Sequence, residues 1–249
     1  MSIVQALASV PLYTYATMLA AFLCCLLRRR RYGLSVLQTV LLFVLYDGFS
    51  LFGNALAAYV LMGYWGGSRW YGVPLMALLA IWLMSKVLKK DFGAIGDLMA
   101  AAVCTHHVLA KVGCIINGCC TGIILYFTDN GTAIHFPSRG FEILTNAVIL
   151  FFLLRFEKKR IASGMLWEIY MIWYSVGAYA AAWLWEYPAD RKPFLLWIPQ
   201  GRLWILVICA VGFVILYFHF NKTYNRKPSA KELLRAAIGK LPEKEVKNA

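Results

Sequence analysis

Apolar stretches of roughly 18 to 25 residues alternate along this chain with short clusters of charge, and that spacing fixes the solvent in which it folds. A helix of about 20 residues spans a hydrocarbon core of about 30 Å, and a helix satisfies its own backbone where no water is available. Seven stretches fit: Val10–Leu27, Leu34–Leu61, Trp70–Val87, Ile95–Ile116, Phe141–Leu154, Gly164–Tyr187 and Leu203–Phe220. Composition agrees, with 61% apolar residues, 15% charged and a mean hydropathy of +0.64, against about 45–50% and 25% in soluble domains. The fold class is an all-α integral membrane protein of about seven transmembrane helices.

Charge sets the expected threading. Arg28–Arg31, Lys86/Lys89/Lys90, Arg155/Lys158/Lys159/Arg160 and the eight Lys and Arg after Phe220 fall on one side when seven spans alternate, 19 of the 25 basic residues. Arg69, Lys111, Arg139, Arg191, Lys192 and Arg202 fall on the other. The positive-inside rule then predicts an outside N-terminus and a cytoplasmic C-terminus. Residues 1–220 form the membrane domain and residues 221–249 a basic cytoplasmic tail, in which Ser229–Ile238 reads as a short amphipathic helix on the membrane surface. The net charge of +13 is explained by this topology and implies no nucleic acid. The first stretch lacks a basic segment before it and is followed by arginines, so it reads as a span rather than a cleaved signal.

The polar chemistry concentrates in Lys111-Val-Gly-Cys-Ile-Ile-Asn-Gly-Cys-Cys-Thr-Gly122. Glycines at this density cost a helix about 1 kcal/mol each, which points to a bend or a close approach at the end of the fourth span. Cys24, Cys25, Cys104 and Cys209 belong to apolar runs and read as small packing residues. Cys114, Cys119 and Cys120 share the glycine run, where Cys114 with one of the vicinal pair is the favoured bridge if one forms. His106 and His107 precede the run but show no ligand spacing, so no metal and no cofactor is expected, and both are read as structural. Beyond the run, Asp129-Asn130-Gly131-Thr132 is a turn signal between Ile124–Phe127 and Ala133–Phe136, predicting a small extracytoplasmic hairpin arm between spans 4 and 5.

Four segments occur in an order and spacing that resembles the prolipoprotein diacylglyceryl transferases. They are Gly66-Gly67-Ser68-Arg69-Trp70-Tyr71-Gly72, the run Lys111–Gly122, Pro137-Ser138-Arg139-Gly140-Phe141-Glu142, and the span holding Tyr174. The resemblance extends over roughly residues 10–220 and implies seven spans, an outside N-terminus and a periplasmic arm. It also implies a reaction at the outer leaflet of the bacterial cytoplasmic (inner) membrane. The diacylglyceryl group of phosphatidylglycerol passes to the thiol of a prolipoprotein cysteine, and glycerol phosphate leaves. Such a site must hold an anionic headgroup and raise the thiolate fraction of a thiol whose pKa is near 8.5.

Position by position, the resemblance assigns Lys111 to a family arginine that holds phosphate, and makes Asn117 and Gly122 direct matches. Tyr13 and Tyr174 fall on family tyrosines of the first and sixth spans, and Glu142 closes a motif in which Arg139 replaces glutamine. Catalytic roles are thus expected of Lys111, Tyr71, Tyr13, Asn117 and Glu142, and substrate contacts of Lys111, Asn117, Gly122, Arg139 and Tyr174. The departures are specific. Tyr71 replaces a histidine, Ala178 and Ala182 replace an arginine and an acid of the sixth span, and Asn54 replaces another arginine. A lysine offers a point charge where an arginine offers a planar fork, leaving Arg139 or Arg191 to compensate.

Three readings follow. One is the diacylglyceryl transfer itself, or the same chemistry with another acceptor. A second is a membrane protein that binds lipid or lipoprotein without catalysis, favoured by the missing arginine and histidine. A third is a membrane thiol-redox protein built on Cys114, Cys119 and Cys120.

Overall fold

Each of the seven apolar stretches is centred on a helix. The computed structural model describes residues 12–62, 72–116, 118, 122–184, 193–195 and 198–242. Its helices are α1 (Leu12–Arg28), α2 (Val36–Met62), α3 (Gly72–Val87), α4 (Phe92–Ile116), α5 (Ser138–Lys159), α6 (Leu166–Ala182), α7 (Gln200–Tyr224) and α8 (Ala230–Ala237). A 3-10 turn, Arg29–Tyr32, follows α1. Strands β1 (Ile124–Phe127) and β2 (Ala133–His135) form one antiparallel ribbon, and β3 (Pro193–Leu195) and β4 (Ile198–Pro199) another.

Among the described residues, three segments are long and apolar enough to cross a membrane by length and composition: Val36–Ala57, Phe92–Ile116 and Arg202–Tyr224. Large apolar side chains also cover outward faces, among them Leu37, Leu41, Val44 and Leu51 on α2 and Leu144, Val148 and Phe151 on α5. Helices that are apolar both inward and outward suit a lipid surround. The chain is a mostly helical membrane protein.

α4 is the centre of the bundle and packs against α1, α3, α5 and α6. Its stretch from Ile95 to Cys104 is buried throughout, and Ala100, Ala101 and Ala102 let neighbouring backbones come close. α2 and α3 meet where Gly53 faces Gly72; a Cβ on Gly72 would run into the Gly53 carbonyl, so this crossing is possible only without side chains.

The helix ends sort into two groups. At one end, Arg28 Nε meets Glu157 Oε2 at 2.8 Å, Lys222 Nζ lies 3.7 Å from Asp91 Oδ1, and the amides of Gly164 and Leu166 donate to the Asp97 carboxylate at 2.6 and 2.8 Å. Asp97 thereby caps the start of α6 from α4 and places a negative charge at its positive end. This end gathers Arg28–Arg31, the α3–α4 connection, the α5–α6 turn and α8, the same basic clusters that the sequence assigns to one side. At the other end, the Ile123 amide donates to the Leu184 carbonyl at 2.9 Å and the Phe136 amide to Ile123 at 2.8 Å, fastening the root of the β1–β2 arm to the end of α6.

One boundary differs instructively. The fifth stretch, Phe141–Leu154, is extended by the structure to Ser138–Lys159. The added turns carry Arg139 and Glu157, and the charge of Glu157 is answered by partners from other helices, so the helix continues past the apolar segment. The predicted arm strands match β1 and, to within one residue, β2. The predicted tail helix matches α8, whose start is closed by a capping box between Ser229 and Glu232. The Gly63–Arg69 connection and residues 188–192, 196 and 197 of the last outer connection lie outside the described residues.

Candidate functional site

On α4, Cys104, His107 and Lys111 are spaced by three and four residues and share one face. On α5 the buried positions Ser138, Glu142, Asn146, Ile149, Leu153 and Glu157 have the same periodicity, and this face packs on α4. α6 contributes Tyr170, Tyr174 and Ala178, all buried. The three faces converge near the arm.

There Lys111 Nζ lies 2.7 Å from Glu142 Oε2, with side chains only 12% and 4% exposed. His107, one turn before Lys111, is buried with Nε2 at 3.9 Å from the same oxygen, a contact rather than a hydrogen bond. Its ring lies 5.2 Å from that of Tyr174, which lies 5.9 Å from Tyr170. Beneath Glu142, Asn146 donates to its main-chain carbonyl at 2.8 Å, and Cys104 Sγ donates to the Asn146 carbonyl at 3.3 Å. An ion pair this deep costs several kcal/mol per charge to desolvate and persists only where each charge answers the other. Ionisable groups facing a bundle interior in membrane proteins mark substrate or ion sites.

The residues expected from sequence fall into three groups. Lys111, Glu142 and Tyr174 are brought together, with His107 as the link between the ion pair and Tyr174. Arg139 stands one turn before Glu142, and its Nη2 donates to the Gly118 carbonyl at 3.3 Å, pinning the glycine turn to the start of α5. Gly122 is at the root of the arm: its carbonyl accepts from His135 Nδ1 at 2.8 Å, and a Cβ would collide with the Phe136 carbonyl. The structure thus supplies a steric reason for glycine there. Tyr71, Asn117, Arg191, Cys119 and Cys120 lie outside the described residues. Tyr13 lies in α1, and its side chain is outside the described set.

His107, read from the sequence as structural, is the residue that the structure adds beside the pair. Two histidines adjacent on a helix are expected to point different ways. They do: His106 Nδ1 is 3.1 Å from the Tyr46 hydroxyl on α2, while His107 faces Glu142 and Tyr174. The i, i+4 relation to Lys111 was the available signal. Ala178, one turn after Tyr174, is buried and brings no charge from α6.

The fold and this cluster define a helical membrane protein whose buried polar chemistry is gathered where α4, α5 and α6 meet the arm. The match of residues 3–218 to the prolipoprotein diacylglyceryl transferase family model makes the chain a member of that family. Among similar proteins, a phosphatidylglycerol–prolipoprotein diacylglyceryl transferase of Dehalococcoides mccartyi is 23% identical over 163 residues, covering 61% of each chain. One of Ehrlichia ruminantium is 26% identical over 164 residues, covering 61% of this chain and 63% of the relative. A protein of Clostridium perfringens named as transferase 2 of this kind is 24% identical over 173 residues, covering 65% of each. The chain matches less than two thirds of the length of these relatives.

Proposed function

We propose that the protein transfers the diacylglyceryl group of phosphatidylglycerol to a cysteine thiol of a prolipoprotein at the outer leaflet of the bacterial inner membrane. The observation that carries this reading is the buried Lys111–Glu142 pair, within a chain belonging to the family and similar to proteins named for that reaction. In the reaction the thiolate sulfur attacks the terminal glycerol carbon of the diacylglyceryl unit. A C–S bond forms, the C–O bond to phosphate breaks, and glycerol phosphate departs as the anion. The thiol proton passes to a base and then to water or the departing phosphate.

Lys111 is assigned the phosphate. An ammonium has three donors, so it holds the Glu142 carboxylate and a phosphate oxygen at once, and its charge is worth most in a dry site as the leaving group gains charge. Glu142 positions Lys111 and balances its charge before lipid binds. Tyr174 and His107 form the wall behind the pair. Tyr13, Tyr71, Asn117, Gly122 and Arg139 complete the proposed site, with Arg139 at its rim. The seven-span threading, with the N-terminus outside and the tail in the cytoplasm, puts this end of the bundle at the outer leaflet.

A specific observation favours a second reading, lipid or lipoprotein binding without transfer. Buried Ala178 stands where the family resemblance expects an arginine, so one phosphate clamp is missing. Purified protein given phosphatidylglycerol and a lipobox peptide separates the two. Thioether product that disappears with Lys111→Ala is the expected result; lipid binding with no product above a protein-free control establishes the non-catalytic reading.

A further inference from the structure

At the opposite end of the bundle, the turn between α5 and α6 has an unusual backbone. Arg160 and Ala162 have φ of 55° and 54°, and Gly164 has 86°, so three alternating residues occupy the left-handed region. For Arg160 and Ala162 that conformation carries strain and persists only where surrounding structure imposes it. Here the Arg160 amide closes on the Glu157 carbonyl and Asp97 grips the amides of Gly164 and Leu166. The effect is to hold the Arg160 side chain and the Ser163 hydroxyl at the rim of a cavity.

That cavity has a volume of about 390 Å³ and lies between this turn, the end of α7 and the chain following α8. Its polar lining is Arg160, Ser163, Thr223 and Tyr224, its apolar lining includes Ile161 and Leu241, and none of its lining residues is acidic. Among the described residues, the Arg160 guanidinium makes no hydrogen bond and no ion pair. A second cavity bordered by Arg160 and Ser163, about 360 Å³, differs in being lined by Asp91, Asp97 and Glu157. Of these two cavities that Arg160 and Ser163 both line, the first is the one without a carboxylate.

The walls are held in place. α8 is fixed to α6 by the Trp173 indole N–H donating to the Ala237 carbonyl at 2.7 Å, and Tyr224 donates its hydroxyl to the Pro242 carbonyl at 3.1 Å. Thr223 and Tyr224 are the last residues of the candidate span Arg202–Tyr224, so the cavity sits where a membrane helix leaves the hydrocarbon, at headgroup depth. Exposed Leu234 on α8 and Ile238 just after it alternate with Lys231 and Arg235, the pattern of a helix resting on an anionic leaflet.

We propose that this cavity binds the phosphate of an anionic glycerophospholipid headgroup from the leaflet at this end of the bundle, with Arg160 as the cation and Ser163 and Thr223 as hydroxyl donors. The site is separate from the Lys111 cluster and independent of whether transfer occurs there. Phosphatidylcholine carries the same phosphodiester beside a choline cation that Arg160 repels, so the site should favour lipid of net negative charge, and its depth favours a lipid over a soluble phosphate.

The test is native mass spectrometry of the full-length protein in detergent, titrated with phosphatidylserine or phosphatidylcholine. Arg160→Asn removes the charge with a residue that tolerates positive φ. The expected result is about a tenfold loss of phosphatidylserine affinity in Arg160→Asn, a smaller loss in Ser163→Ala, and retention in Arg160→Lys. Phosphatidylcholine should bind the wild type more weakly than phosphatidylserine and lose less affinity in Arg160→Asn. Wild-type phosphatidylserine affinity in both Arg160→Asn and Ser163→Ala would overturn the proposal, as would displacement of the Arg160-dependent lipid by millimolar inorganic phosphate, which would make the ligand a soluble anion. A thermal melt of each variant in detergent identifies any that has failed to fold, and Arg160→Lys and Ser163→Ala keep the question answerable if Arg160→Asn does.

Discussion

Lys111 Nζ and Glu142 Oε2 meet at 2.7 Å across the α4–α5 contact, both nearly enclosed by protein. Losing one partner of such a pair strands a buried charge, whereas replacing both with apolar residues of similar volume is close to neutral. Lys111→Met and Glu142→Leu should each destabilise the protein by about 3–5 kcal/mol, and the double variant should recover most of that loss. Transfer activity should be absent in all three. Thermal melts in detergent beside the lipobox-peptide assay check both halves. A double variant as active as wild type would remove the pair from the proposed chemistry.

The same buried face of α5 carries a second carboxylate fifteen positions later, about 22 Å along the helix at 1.5 Å per residue. Glu157 accepts from Arg28 Nε and the Tyr32 hydroxyl, each at 2.8 Å, and Arg28 also donates to the carbonyls of Leu98 and Asp97 at 2.8 and 3.0 Å. This cluster ties α1, α4 and α5 together and is remote from Lys111. Glu157→Gln should therefore lower the melting temperature while leaving the turnover of folded protein within about twofold of wild type, since distant sites act independently. Activity normalised to the folded fraction measures it.

These two pairs show what the sequence makes visible. Apolar length and the one-sided distribution of arginine and lysine are local properties, so the helices and the sorting of their ends were readable without coordinates. Lys111 and Glu142 could each be singled out from their own surroundings and a family resemblance. Their mutual contact, 31 positions apart, depends on how α4 and α5 pack. For the same reason Arg28 read as one more topology-setting cation, and only the structure shows it buried against a carboxylate 129 positions away. The place of His107 beside the Lys111–Glu142 pair likewise depends on packing, and the four-residue step to Lys111 is its local trace. Gly122 was selected by resemblance as a substrate contact, while its Cβ clash shows that the arm itself requires it.

That clash gives a prediction. In Gly122→Ala the new methyl meets the Phe136 carbonyl and crowds the Leu184 carbonyl at 3.0 Å, both main-chain atoms that cannot rotate away. The arm root must shift, at about 1–3 kcal/mol, the usual cost of overpacking. Hydrogen exchange at the Ile123 and Phe136 amides should accelerate in the variant while amides around Leu98 on α4 stay protected. Unchanged exchange at Ile123 would mean that the root accommodates the methyl.

The tail helix responds to acid in a direction that can be worked out. Glu232 accepts hydrogen bonds from Arg226 first and from the Ser229 amide and hydroxyl next, and these hold its carboxyl down at about 2. Its pKa in an unfolded tail is near 4.3, so the pair binds fewer protons when the helix is formed. The stabilisation is then complete above about pH 4.3 and disappears as pH falls through 2. α8 should keep its helical 13Cα shifts at Ala236 and Ala237 at pH 4 and lose them only in stronger acid. Ser229→Ala, which removes the cap acceptor for the Glu232 amide, should weaken those shifts at neutral pH as well. Selectively labelled full-length protein in detergent makes the measurement. A midpoint near pH 4.3 in the wild type would show that the Arg226–Glu232 contact contributes nothing to the fold of the tail.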